Sequence, residues 1–66
     1  MIDVSVQNHG SLVILDLVSD AARAWVDENV GINDETQWWG ENGLVVEPRY
    51  AGPIVSGMQG DGLEVQ

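Results

Sequence analysis

The spacing of apolar residues changes twice along this chain, and those changes set the order of its elements. In "IDVSVQ", Ile2, Val4 and Val6 alternate with Asp3, Ser5 and Gln7. A period of two is that of a half-buried strand. "NHGS" follows, and its Asn8 and Gly10 tolerate the positive φ of a tight hairpin turn. "SLVILDL" returns as a more continuously apolar strand, suited to a central place with cover on part of both faces. From Ser19 the period becomes helical, with Ala21, Ala22, Trp25, Val26 and Val30 at the right intervals. Ser19 is a natural N-cap, Asp20 favours the positive helix start, and Gly31 suits the end. The expected helix covers about residues 20–30, with Arg23, Asp27 and Glu28 toward water.

After the loop "INDE", "TQWW" and "LVVE" read as paired strands around the turn "GENG". Pro48 cannot donate to a ladder, so that strand ends near Glu47. Helical spacing then resumes, with Tyr50, Ile54 and Met58 on one line and Ala51 and Val55 beside it. Pro48 suits a first helical turn. Pro53 does not suit a helix interior, so the helix is either kinked or starts at Pro53. "GDG" stops it, and "LEV" has the composition of a short last strand. The expected fold is α+β in a single small acidic domain, residues 1–66. An antiparallel sheet of four to five short strands carries two helices on one face, in the order ββαββα with room for a final strand.

A chain of 66 residues buries only about 60% of its unfolded surface, and without cysteine it has neither a disulfide framework nor a thiolate metal cage. Regular packing or a partner subunit must supply the stability. Apolar runs fall well short of the roughly 20 residues that cross a bilayer. The N-terminal segment carries an acid at position 3 and no basic start, so no secretion signal is read and a cytoplasmic location is expected.

Catalysis is not expected. His9, the one histidine, falls in a hairpin turn without the partners of a general base. Ser11, Ser19 and Ser56 lack a nucleophile-elbow context. "GMQGDG" follows a helix instead of leading into one and has no Lys, so it is a poor phosphate cradle. "DENVGINDE" departs from the calcium-loop pattern at its third ligand, Gly31. No metal or cofactor is expected.

The charge is more informative. Eleven acids against Arg23 and Arg49 leave −9. Such a field repels nucleic acid and anionic membrane and attracts basic surfaces; solubility alone is the plainer explanation. Trp38 and Trp39 are neighbours, and on a strand they must point to opposite faces. One can pack under a helix while the other lies on the open face, or an exposed one can anchor an interface, where Trp is enriched. Trp25 is read as core. Alternate carboxylates on a strand stand about 6.8 Å apart, an interval of the order of that between phosphates along a nucleic-acid strand. A groove of Lys and Arg built for nucleic acid would accept such a surface.

The segments "VQNHGSLVIL", "AARAWVDENV", "LVVEPRY" and "GMQGDGLEV" together resemble short acidic proteins of phages, prophages and mobile elements. Anti-CRISPR proteins, several of them DNA mimics, come from the same settings. The resemblance covers most of the chain and implies an inhibitor that occupies a basic nucleic-acid-binding surface of a CRISPR effector. It assigns no residue a role. From charge and exposure, the candidate partner-binding residues are Asp27, Glu28, Asp34, Glu35 and Glu41, with Trp39 as anchor and Asp3 and Asp61 as outliers. The expected partner is a basic nucleic-acid-binding protein, with no direct nucleic-acid or membrane binding, and the chain acts as monomer or homodimer. The alternative is a protein-interaction module or homodimer joined around Trp38 or Trp39, with no mimicry.

Overall fold

In the computed structural model, which describes residues 1–31 and 36–66, the first alternating segment is strand β1 (Val4–Asn8). It pairs antiparallel with β2 (Val13–Leu17), Val4 opposite Leu17 and Asn8 opposite Val13. The turn between them forms as its residues suggest. Asn8 Oδ1 accepts the Gly10 N–H at 2.9 Å, Gly10 adopts φ +81°, and the His9 N–H donates to the Leu12 carbonyl. An Asx turn beside a left-handed glycine reverses the chain without strain.

Helix α1 (Asp20–Asn29) starts at Ser19, whose Oγ accepts the Ala22 N–H at 3.1 Å. It ends at Val30, and Gly31 beyond it takes φ +86° while its N–H reaches the Val26 carbonyl. This left-handed ending satisfies a carbonyl that the helix leaves open. Strand β3 is shorter than expected, covering only Trp38–Trp39, and β4 (Gly43–Val46) pairs with it on one side and with β2 on the other. The sheet order is β1-β2-β4-β3, all antiparallel. Strand β2 is central, and four of its five residues are buried.

Helix α2 (Pro48–Gly60) is one helix, and Pro53 lies inside it. It therefore begins at Pro48 and not at Pro53. The first turn is closed by N–H groups of Tyr50 and Ala51 donating to the Glu47 carbonyl. Pro53 then removes only the bond to residue 49, near a helix start where donors are in any case incompletely used. The helix ends at Asp61, with Gly62 at φ +92° and the Leu63 N–H bonded back to the Met58 carbonyl. The tail then runs beside β1. Glu64 O accepts from Asp3 and Val4, and the Gln66 N–H donates to Val4. The anticipated last strand is thus a single parallel bridge, Val4 to Val65. It covers an edge that would otherwise present unpaired backbone groups.

Register sorts the sheet into two faces. Val4, Val6, Val13, Leu15, Leu17, Leu44 and Val46 share one face and join Ala22, Val26, Ala51 and Met58 in one cluster. Both helices therefore cover the same side. Ser5, Gln7 and Asp16 take the other. Trp25, expected in the core, is half-buried against it. Gly57 makes that possible, since a Cβ there would stand 3.0 Å from the Trp25 ring.

Candidate functional site

The tryptophan pair sits on an edge strand, and that decides its exposure. Trp38 pairs with Leu44 and so shares the helix-side face, yet it remains 39% exposed and outside the core cluster. Neither indole of the pair is buried under a helix, because β3 lies at the border of the sheet. Trp39 is on the open face and 69% exposed. Its cross-strand partner is Gly43, where a Cβ would fall 2.5 Å from the Trp39 carbonyl oxygen and 2.9 Å from Ile14 Cγ2. Glycine is required here by space, and Ile14 is buried on this face although the helices lie on the other.

The carboxylates fall into two groups. One group works within the fold. Asp3 accepts the Glu64 N–H at 2.8 Å, and its backbone carbonyl takes the N–H groups of Val18 and Ser19. The Glu64 N–H bond holds the Asp3 carboxyl below the usual carboxylate range; the Ser19 hydroxyl and, more weakly, the N-terminal ammonium add to this, against a partial loss of hydration. Asp61 accepts from the Trp25 indole N–H. Asp20 stands 3.9 Å from Arg23, whose other guanidinium nitrogen donates to Asn42. Glu47 pairs with Arg49 at 2.9 Å, and Glu64 with the N-terminal ammonium at 3.2 Å.

The second group is Asp27, Glu28 and Glu41. All are exposed, and none has a hydrogen-bond or ion-pair partner among the described residues. Both arginines are engaged elsewhere. Asp27 and Glu28 occupy the last turn of α1, where the helix dipole disfavours negative charge. Helix stability therefore does not account for them. The structure does not bring Glu41 to the same place. Glu41 is in the β3–β4 turn next to Asn42, which bonds the first half of α1 through Arg23. Asp27 and Glu28 lie toward the other end of that helix. Asp34 and Glu35 lie outside the described residues.

Beside the end of α1 is an open groove of about 580 Å³. Leu12 from the first hairpin, Val30 after α1, Val45 and Val46 of β4, and Tyr50 and Ile54 of α2 give it an apolar lining. Pro53 completes that wall, and Asn29, Gln37 and Glu47 contribute polar atoms. Leu12, Val30 and Tyr50 are 43%, 41% and 52% exposed, so the groove collects apolar surface that the core leaves uncovered. The Arg49 guanidinium stands 4.8 Å from the centre of the Tyr50 ring, within cation–π range. The sequence pattern offered only a partial signal for the groove: Tyr50 and Ile54 share a helix line, but Leu12 and Val30 join them only through the fold.

His9 remains an exposed turn residue, with Nε2 3.4 Å from Gln7 Oε1. Among the described residues no three His, Asp or Glu side chains converge as a metal site, and no helix is long and apolar enough to cross a membrane. The chain matches no protein-family model, no curated protein and no solved structure.

Proposed function

We propose that the protein is a non-enzymatic binding protein that inhibits a basic, nucleic-acid-binding protein by presenting carboxylates where that partner takes phosphates. A CRISPR effector is the partner class that the sequence resemblance implies. The observation that carries this reading is the uncompensated charge at Asp27, Glu28 and Glu41. The two arginines are engaged by Asp20, Asn42 and Glu47, so Asp27, Glu28 and Glu41 meet no cation among the described residues of a chain whose net charge is −9. Attraction of that kind steers encounter with a basic surface and weakens with salt. Asp27 and Glu28 form the nearest pair, and Asp34 and Glu35 follow within the next few residues of the chain.

The test is capture of proteins from a bacterial host lysate on the immobilised chain, followed by elution with duplex DNA and with salt. Nucleic-acid-binding proteins should be retained, displaced by DNA and released by moderate salt. Asp34→Lys with Glu35→Lys, or Asp27→Lys with Glu28→Lys, should abolish retention while circular dichroism stays unchanged. Retention indifferent to DNA and to charge reversal would refute mimicry.

The exposure of Trp39 on an open sheet face favours a second reading, an interaction module or homodimer joined through that surface. Sedimentation across a range of concentrations separates the two, since a monomer at every dilution removes the homodimer.

A further inference from the structure

We propose that the groove at the end of α1 docks a short segment of a protein partner in which one or two large apolar side chains are flanked by Lys or Arg. The first argument is apolar surface. Leu12, Val30 and Tyr50 converge on one concavity while remaining about half exposed, so apolar surface from three separate elements is gathered in one place. A groove of this volume lies in the range that holds a ligand or anchoring side chains, about 300–1,000 Å³.

The second argument is the sign of the nearby charge. On one wall, Glu47 is matched by Arg49, so their charges cancel locally. Toward the other, Asp27 lies one helical turn before the lining residue Val30 and shares its helix face; Glu28 follows it in the same last turn. Neither acid meets a cation among the described residues. An apolar slot one helical turn from unmatched acids, on a chain of net charge −9, is complementary to an apolar anchor with basic neighbours. The same field decides against a second copy as the occupant. Two chains of −9 would have to bring like-charged surfaces together to fill the groove. The inference shares with the proposed function only the expectation of a basic partner; it does not require phosphate mimicry.

The test uses the full chain, isotopically labelled, titrated with a short synthetic peptide of alternating Leu-Leu and Lys-Lys pairs. Two control peptides replace every Leu by Ser or every Lys by Glu. The Leu/Lys peptide should shift the resonances of Leu12, Val30, Val46, Tyr50 and Ile54, and both controls should bind at least about tenfold more weakly. Tyr50→Ser, at an exposed site, should weaken the Leu/Lys peptide by a similar factor; the shift map on the unaltered chain needs no variant to fold. Equal binding of the Ser control, or shifts confined to residues away from the groove, would overturn the proposal. So would concentration-dependent shifts of the groove residues without peptide, which identify a second copy as the occupant. Groove binding without DNA-sensitive capture sinks mimicry and leaves this inference standing. DNA-sensitive capture with no groove shifts does the reverse.

Discussion

Asp3 and Asp27 are both carboxylates on a strongly acidic chain, yet their surroundings are opposite. Asp3 lies where the chain closes on itself. Its side chain holds the tail at Glu64, its carbonyl holds the entry to α1, and the Asp61–Trp25 bond ties the end of α2 to α1. Asp27 lies toward the other end, next to an unmatched Glu28, in a helix terminus of the wrong polarity and one turn before Val30 of the apolar groove. Among the described residues, the acids at the first end have partners, whereas Asp27 and Glu28 at the second have none. A domain this small is only marginally stable, so it can leave few such features uncompensated. Unmatched acids one helical turn from an apolar groove are the basis of the docking proposal.

Paired truncations sharpen the contrast most. Leu17→Ala, at a fully buried position on the closed side, should cost about 2–5 kcal/mol and can unfold the domain. Leu12→Ala, in the groove and 43% exposed, should change stability by less than about 0.5 kcal/mol. Urea unfolding of the two variants checks this, and similar losses at both sites would erase the distinction between a closed structural side and the proposed docking groove.

A smaller effect separates the two aspartates by pH. The Asp3 carboxyl titrates below its ordinary value in the folded state. A depressed folded pKa contributes stability that is present above the unfolded value, about 3.9, and is lost as pH falls through the folded one. Asp3→Asn should therefore lower the urea midpoint at neutral pH, and the difference from the parent should shrink below about pH 4. Asp27→Asn should show no such loss at neutral pH. If the Asp3→Asn difference persisted unchanged into acid, the carboxylate would not be the group that holds the tail.

Much of the fold was legible because local signals agreed with one another. Alternation in residues 2–7, the Asn8–Gly10 turn, the Ser19 cap and the Gly31 ending each specify backbone conformation within a few residues. Pro53 left two starts open, and the helix takes the earlier one at Pro48, where one lost bond near the start is tolerated. The tryptophan pair was legible only in part. Their opposite faces follow from strand geometry, but their exposure depends on β3 being an edge, which only the strand order β1-β2-β4-β3 reveals. The candidate acids show the same limit. Asp27 and Glu28 are neighbours in sequence and in space, whereas Glu41 is carried to the opposite end by the direction of β4. The groove was the least legible feature, since Leu12, Val30, Val46 and Tyr50 come from separate elements and have no common spacing.

Asp27→Lys with Glu28→Lys gives the most direct measurement, read twice on the same protein: by urea unfolding and by retention of host proteins. If these acids serve binding at some expense to the helix, reversal should stabilise the domain by about 1 kcal/mol, through the helix dipole and reduced self-repulsion, while retention is lost. A lower unfolding midpoint with retention intact would contradict that assignment, because the acids would then belong to the fold and not to a partner.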